Sequence, residues 1–334
     1  MSERAEGATA VRAETRGAED GGTRASSPWR RGRVLATLSV LTALVLTGHG
    51  LVPNTPGHLG SLLESFLPWS ALLVVVLLGL AVLRRSALAL LALLLPVAAW
   101  GFLFGGLLLP APEPGAGDLV VVQHNASDEN TDPAGTARSL ADAGPDLIAL
   151  EELLPAALPA YEEILAERYP YHAVKGTVGL WSKHPLTDVR TLDIKPAAIT
   201  EPWSRGLRAT ARVRQREIAV YVAHLPSVRV GASGLASSWR DESAERLGEA
   251  IAAEKAATVV LLGDLNGTVD DRGLGPLTSR LNVSERGFAF SYPAGFPLAR
   301  IDQVMARSAT VGRIRTLPAT GSDHLPVITR ISPR

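Results

Sequence analysis

"ATVVLLGDLN", residues 257–266, is an unbroken apolar run that stops at a glycine and then presents an aspartate and an asparagine. Such a run, too short for a helix of its own, reads as a strand buried on both faces. The polar pair at its end is what a site needs, because a rigid strand fixes side chains while the following loop leaves room for a ligand. The same arrangement recurs along the chain. "DLVVVQHN" (118–125) ends on Asn125, "DLIAL" (146–150) runs into Glu151 and Glu152, and "VYVAHL" (220–225) ends at His224. "RIDQVMA" (300–306) opens with Asp302, and "LPVITRI" (325–331) is preceded by Asp323 and His324 in "GSDHLPV".

Taken singly, each polar position has a bland reading. "GDLNG" is an ordinary turn composition, a lone His224 suits a satisfied core histidine, and Asp302 could cap a strand. Adjacent strand positions point to opposite sides, so one of Glu151 and Glu152 is expected to face water.

Helical segments separate these strands. "DPAGTARSLADAG" (132–144) carries Asp132 as N-cap, Pro133 at the first helical position and a terminating Gly144. Helices are also expected over 154–168 and 241–255, and 206–225 alternates like two antiparallel strands about a turn near Gln215. Mixed strands with interspersed helices predict an α/β four-layer sandwich over 113–334: two packed mixed sheets flanked by helices.

The remainder of the 334-residue chain has a different character. Residues 1–33 lack apolar periodicity and read as a disordered cytoplasmic tail ending in "WRRGR". Residues 34–112 carry three apolar stretches, 34–52, 66–83 and 86–110, each near the roughly 20 residues that a membrane span requires. Pro96 is expected to kink the third. Arg30, Arg31 and Arg33 precede the first stretch, Arg84 and Arg85 lie between the second and third, and the loop 53–65 has neither Lys nor Arg. Positive residues stay cytoplasmic, so a three-helix transmembrane anchor predicts a multi-pass cell-membrane protein with its C-terminal domain outside. "PAPEPGAG" (110–117) reads as the linker. The chain has no cysteine, which excludes disulfides and thiol chemistry.

Taken together and in order, "VVVQHN", "PDLIALEEL", "AHL", "GDLN", "RIDQV" and "GSDHLPV" resemble the endonuclease/exonuclease/phosphatase superfamily over residues 118–332. The layout of three spans before an outward domain also looks like the VanJ-type glycopeptide-resistance membrane proteins of actinomycetes. The superfamily resemblance implies roles. Glu152 takes the place of the metal-binding glutamate, Asn125 of the asparagine beside it, and Asp323 of a second carboxylate on the metal side. Asp264 and Asn266 correspond to the pair that orients the attacking water and contacts the phosphate. His324 corresponds to the histidine on the phosphoryl group, Asp302 to the carboxylate holding it, and His224 to the second histidine, here in "AHL" rather than "THL". Two departures stand out: Glu151 replaces the usual Gln and adds negative charge near the metal, and Gln303 replaces an aromatic used for stacking.

The chemistry is coherent without the name. A hard cation such as Mg²⁺ or Mn²⁺ takes oxygen ligands and needs only one or two protein carboxylates, a need that Glu152 and Asp323 meet. Without a His/Cys cluster, zinc is disfavoured. The metal serves as a Lewis acid, Asp264 positions water, and a His324 cation held by Asp302 donates to the phosphoryl oxygens. Arg205 and Arg300 are the candidate phosphate-binding arginines, with Arg229 and Arg240 in a loop placed to close over them. Arg208, Arg212, Arg214 and Arg216 read as one solvated stripe. From residue 118 onward there are 24 Lys and Arg against 26 Asp and Glu, a net charge of −2. A nuclease carries a basic footprint, so this balance argues against nucleic acid. A lipid-linked phosphate or pyrophosphate of cell-wall synthesis is the expected substrate. The alternative is an extracellular nuclease or a sphingomyelinase-like phosphodiesterase. No protein partner is legible, and the filled catalytic positions argue against a non-catalytic binding module.

Overall fold

The computed structural model describes residues 32–110, 118–232 and 234–334. Residues 1–31 of the expected tail (1–33) and residues 111–117 of the expected linker (110–117) lie outside the described residues.

Four helices form the N-terminal part: α1 (Arg33–Gly48), α2 (Leu59–Ser65), α3 (Ser70–Leu83) and α4 (Ala87–Phe104). Two helical stretches, Arg33–Leu51 and Ala87–Leu108, are long and apolar enough to cross a membrane. The expected middle span is different. Its apolar run belongs to a pair of helices, Leu59–Ser65 and Leu67–Leu83, bent by 57° at Phe66. A three-helix anchor therefore holds only if that bent pair counts as one span. α4 runs unbroken through Pro96, with Ser86 capping its N-terminus by accepting from the Ala89 N–H. Gly32 packs on Ser86, so the Arg33 end of α1 and the Arg84–Arg85 turn lie together.

The other end of the helices meets the C-terminal part. Glu64 receives the Arg272 guanidinium at 2.7 and 2.9 Å, and the same arginine donates to the carbonyls of His49 and Val52. Trp69 stacks on Phe290 with ring centroids 5.3 Å apart and donates to the Leu298 carbonyl. Gly57 accepts from the Leu235 N–H, where Gly234 adopts φ +105° and a side chain would collide with the Gly57 backbone.

The C-terminal part is the expected sandwich. Its strands are β1 (Leu119–Asn125), β2 (Leu147–Glu151), β3 (Tyr171–Lys175), β4 (Val178–Ser182), β5 (Leu186–Thr191), β6 (Gly206–Val213), β7 (Arg216–Ala223), β8 (Arg229–Gly231), β9 (Gly234–Ala236), β10 (Thr258–Asp264), β11 (Asn282–Val283), β12 (Asp302–Arg307), β13 (Ala309–Val311), β14 (Arg315–Thr316) and β15 (Val327–Pro333). One mixed sheet runs β13-β15-β1-β2-β4-β3, with β14 beside β15; the other runs β11-β12-β10-β7-β6-β5. In each, a parallel pair (β1 with β2, β10 with β7) is flanked by antiparallel neighbours.

The alternation of side chains explains the layers. Val121, Leu147, Leu180, Leu207, Val220, Val260, Val304 and Ile331 fill the space between the sheets. The opposite face of the first sheet packs Val122, Ile148 and Trp181 against α5 (Pro133–Asp142) and α6 (Leu158–Leu165). The opposite face of the second packs Tyr221, Val259, Leu261 and Met305 against α7 (Ser238–Ala252). Continuous apolar runs such as 258–262 follow from this, because both faces of the central strands are covered. Asp132 caps α5 by accepting from the Gly135 N–H at 2.8 Å. Three strands, β3 to β5, were not legible in the sequence, where "YHAVKGTVGLWSKHPLTDVRT" mixes polar and apolar residues with no clear period. β3 and β5 are edge strands and partly wet, and β4 lies buried beside β3.

Candidate active site

The inward rows that fill the core end in polar residues at one end of the sandwich. In β1, Leu119 and Val121 are followed two residues apart by Gln123 and Asn125; in β2, Leu147 and Ala149 lead to Glu151. Across the gap, Val260 and Leu262 lead to Asp264, and Val304 is preceded by Asp302. Asp264 and Asp302 are register partners, which sets two carboxylates side by side. Close packing sharpens the placement: a Cβ on Gly263 would lie 1.9 Å from the Ala223 carbonyl oxygen, so only glycine lets β10 lie this close to β7.

Asp302 is the most heavily engaged group. Its carboxylate accepts from Gln123 Nε2 at 3.0 Å, from Ser291 Oγ at 2.5 Å and from His324 Nδ1 at 2.8 Å. Burial would raise its pKa, but the His324 charge and these donors outweigh that and hold it low. Burial alone would lower His324, yet the Asp302 and Asp264 charges prevail and push it up to about 10. His324 is therefore a cation at neutral pH. With Nδ1 tied to Asp302, its Nε2 is left 3.8 Å from Asp264 Oδ2, facing the cavity. The Tyr292 ring packs on the imidazole at 4.8 Å between centroids.

Asp264 accepts from Asn125 Nδ2 at 3.0 Å and from the Asn266 N–H at 2.9 Å. Burial raises its carboxyl despite these partners and the nearby His324 cation. Asn266 sits at φ +47°, tolerable for Asn, and its amide donates to the Leu225 carbonyl. Glu152 sits at φ +55°, a sparsely populated region for a glutamate, immediately beyond β2. That turn carries its carboxylate into the cavity, where Oε2 accepts from the Asp128 N–H.

Glu152 Oε1 stands 3.6 Å from His224 Nε2, and Asp264 Oδ2 stands 3.8 Å from the same nitrogen. Neither ring nitrogen of His224 finds a hydrogen-bond partner among the described residues. Burial, with Arg205 and His324 adding to it, pushes His224 down to about 3, so the imidazole is neutral. Two carboxylates thus approach a neutral ring without bonding to it. This donor set fits a hard divalent cation, with Glu152 as the accessible carboxylate and Asp323 exposed on the same cavity. Asp264, Asp302 and His324 also place ligand-type atoms within 4.8 Å of one another. We read that trio as a hydrogen-bonded relay, because Asp302 already accepts three hydrogen bonds and a cationic His324 cannot ligate a metal. The cavity has a volume of about 270 Å³, and Ser65 and Phe66 of the N-terminal helices are part of its wall.

The sequence profile of the Endonuclease/Exonuclease/phosphatase family matches residues 105–324, about two thirds of the chain. The chain belongs to that family. Its fold is that of solved members and neighbours. Humanized TDP2 of D. rerio carrying 14 mutations aligns with TM-score 0.54 at 17% identity, over 65% of this chain and 100% of that one. The beta toxin of Staphylococcus aureus aligns with TM-score 0.53 at 12% identity, over 65% and 100%. An endonuclease/exonuclease/phosphatase of Bacteroides vulgatus aligns with TM-score 0.53 at 13% identity, over 65% and 99%. No curated protein matches the sequence. The family's fold is a phosphoesterase fold, and its enzymes generally use divalent metals.

Within this family frame, the structure brings Asn125, Glu152, His224, Asp264, Asn266, Asp302, Asp323 and His324 to one end of the sandwich. Arg300 does not join them. It is buried beside Asp270, Phe288 and Phe290 in a separate cavity and donates to the Gly287 carbonyl, so it is not a phosphate ligand here. Arg205 lies near His224, whose N–H its carbonyl accepts, but its side chain lines a neighbouring cavity. Arg240 is not on a closing loop: it is buried in α7 and paired with Asp241 and Asp271. Arg208 is no part of a solvated stripe, being buried between Glu254 and Asp188. Glu151 faces inward and is fully buried. Burial and the Asp302 and Asp264 charges push its carboxyl well up, which favours the neutral form over the added negative charge expected from the sequence. Gln303 points to the outer face and ties the Gly267 and Arg300 carbonyls together. Gln123, Ser291 and Tyr292 went unnoticed in the sequence; only Gln123 left a signal there, as a polar residue in an apolar strand.

Proposed function

We propose that the protein is a membrane-held, divalent-metal-dependent phosphoester hydrolase that works outside the cytoplasmic membrane on a lipid-linked phosphate or pyrophosphate of cell-wall synthesis. The observation that carries the substrate class is the wall of the catalytic cavity. Phe66, at the bend between α2 and α3, shares that wall with Val230, Leu235, Tyr292 and the carboxylates. An apolar rim with exposed Phe66 and Val230, above a floor of Glu152, Asp264 and His324, suits an amphiphile with a phosphate end. The arginines support the orientation: Arg33, Arg84 and Arg85 lie at the end of the helices away from the sandwich. The net charge of −2 from residue 118 onward disfavours a nucleic-acid strand. The three-segment layout is also the ground for a glycopeptide-resistance role, which we keep as part of this reading.

In this reading Glu152 and Asp323, with Asn125 behind them, would hold Mg²⁺ or Mn²⁺, which when bound would supply Lewis-acid withdrawal of charge from the phosphoryl group. Asp264, oriented by Asn125 and Asn266, accepts a proton from water aligned for attack. His324, fixed by Asp302, donates from Nε2 to the oxygen on which negative charge grows. His224, neutral and walled in, keeps a second polar edge toward the substrate without adding charge.

The test is hydrolysis by the detergent-purified full chain with Mg²⁺, read as phosphate release from polyprenyl phosphate, polyprenyl pyrophosphate and inositol phosphates, as phosphocholine release from sphingomyelin, and as strand cleavage of DNA. The expected result is EDTA-sensitive turnover with preference for the polyprenyl substrates. Efficient cleavage of DNA with no phosphate released from the lipids would replace this reading by the nuclease.

A further inference from the structure

A second cavity of about 610 Å³ adjoins the catalytic one, and Ser227 lines both. Its walls include two indoles and two guanidiniums: Trp203, Trp239, Arg205 and Arg229. Among the described residues no carboxylate lines it. The Arg205 guanidinium lies over the Trp203 ring, 5.4 Å from its centroid. Among the described residues neither Arg205 nor Arg229 forms an ion pair. Elsewhere in this domain three buried or half-buried arginines are matched by carboxylates: Arg208 by Glu254, Arg240 by Asp271 and Arg272 by Glu64. Two unmatched guanidiniums facing one hollow are a site for an anion. Two indoles beside them offer flat faces to a ring.

The cavity is also fixed in relation to the chemistry. The Arg205 carbonyl accepts from the His224 N–H at 2.9 Å, so the strand that carries Arg205 is tied to the catalytic floor. On the other side, Ser238 meets His58 Nε2 at 3.2 Å, so the wall is tied to the N-terminal helices as well.

We propose that this cavity receives the part of the substrate beyond the scissile phosphate, and that this part carries a further anionic group beside a ring. A sugar phosphate or a nucleoside phosphate has that chemistry, as does the head group of a sugar-linked polyprenyl pyrophosphate; a bare polyprenyl phosphate would occupy the catalytic cavity and leave this one open. The assignment rests on the hydrolase reading for its orientation, but the binding site itself is testable without turnover. A half-open hollow with two arginines fits one head group, whereas a nucleic-acid strand needs a basic track.

The experiment is calorimetric titration of the full-length, detergent-purified protein in EDTA with glucose 1-phosphate, uridine monophosphate and inorganic phosphate. At least one ring-bearing phosphate is expected to bind tenfold or more tightly than inorganic phosphate; which of the two is tighter identifies the ring. Arg229 and Trp239 are exposed, so Arg229→Ala and Trp239→Ala spare the core, and each is expected to weaken the ring phosphate at least fivefold. Arg229→Lys and Trp239→Phe should recover part of the loss. Equal affinity for all three probes, or binding unchanged in both alanine variants, overturns the site. A parallel assay of a small chromogenic phosphoester with Mg²⁺ separates the two ideas. Ring-phosphate binding without turnover keeps the cavity and removes the hydrolase reading. Turnover without ring-phosphate binding does the reverse.

Discussion

The two strongest claims on single residues concern Asp264 and His324. Asp264 is aimed by two donors, and His324 is a cation pinned through Nδ1, so both act on charge that exists only as the phosphoester reacts. Asp264→Ala and His324→Ala should each lower kcat by about 10²-fold or more, roughly 2.7 kcal/mol, while raising KM far less. Steady-state kinetics on a soluble phosphoester reads this, and a KM effect with normal kcat would assign them to binding alone. Glu151 makes the opposite case. Its Oε2 accepts from Gln123 Nε2 at 2.8 Å, and its Oε1 has no hydrogen-bond partner among the described residues. Glu151→Gln should therefore leave kcat within about twofold, whereas Glu151→Ala, which strips Gln123 of a buried partner, should cost about 1–3 kcal/mol of stability. Denaturant midpoints of the two variants check this, and an inactive Glu151→Gln would show that the carboxylate itself is needed.

At the scale of elements, the edge of the second sheet is held by charge. Arg208 on β6 reaches Glu254, just beyond α7, at 3.0 Å, and Glu254 also accepts from Tyr221 and the Ala256 N–H. Burial pushes the Glu254 carboxyl up, but the Ala256 N–H, Arg208 and Tyr221 outweigh it and hold it at about 2. A carboxyl depressed on folding stabilises the protein above its unfolded pKa, and that contribution fades as pH falls from about 4.5 towards 2. Glu254→Gln should destabilise the domain by about 3 kcal/mol at pH 7, because it leaves the Arg208 charge buried with only the exposed Asp188. The difference from wild type should shrink as pH falls from 4.5 towards 2 in thermal melts. A constant difference over that range would remove the ion pair as its cause.

For the molecule as a whole, the Arg272–Glu64 bridge, the Trp69–Phe290 stack and the Gly57–Leu235 hydrogen bond place the sandwich against one end of the helices. Arg33, Arg84 and Arg85 occupy the other end, which orients the sandwich outward if positive residues stay in the cytoplasm. Alkaline phosphatase fused after Arg334 should be active in a bacterial host. A fusion inactive as phosphatase, with a cytoplasmic reporter active at the same position, would reverse the topology.

Periodicity by itself determined the strand ends, the helix over 133–142 with its Asp132 cap, and the apolar stretches before residue 110, because these depend on neighbours along the chain. The polar strand ends also named most of the site, since inward rows that end in Asn125, Asp264 and Asp302 must end on the same side of a packed sandwich. What the chain alone left open depended on contacts between distant segments. The fate of each arginine was of that kind: Arg208, Arg240 and Arg300 are buried by partners or walls far off in sequence, and Arg205 and Arg229 share a hollow with two tryptophans. The raised carboxyl of Glu151 depended on its burial and on the Asp302 and Asp264 charges that folding brings beside it. The bend at Phe66 was also decided only by the fold, because a hydropathy run records the apolar length of a segment and not the direction in which packing turns it.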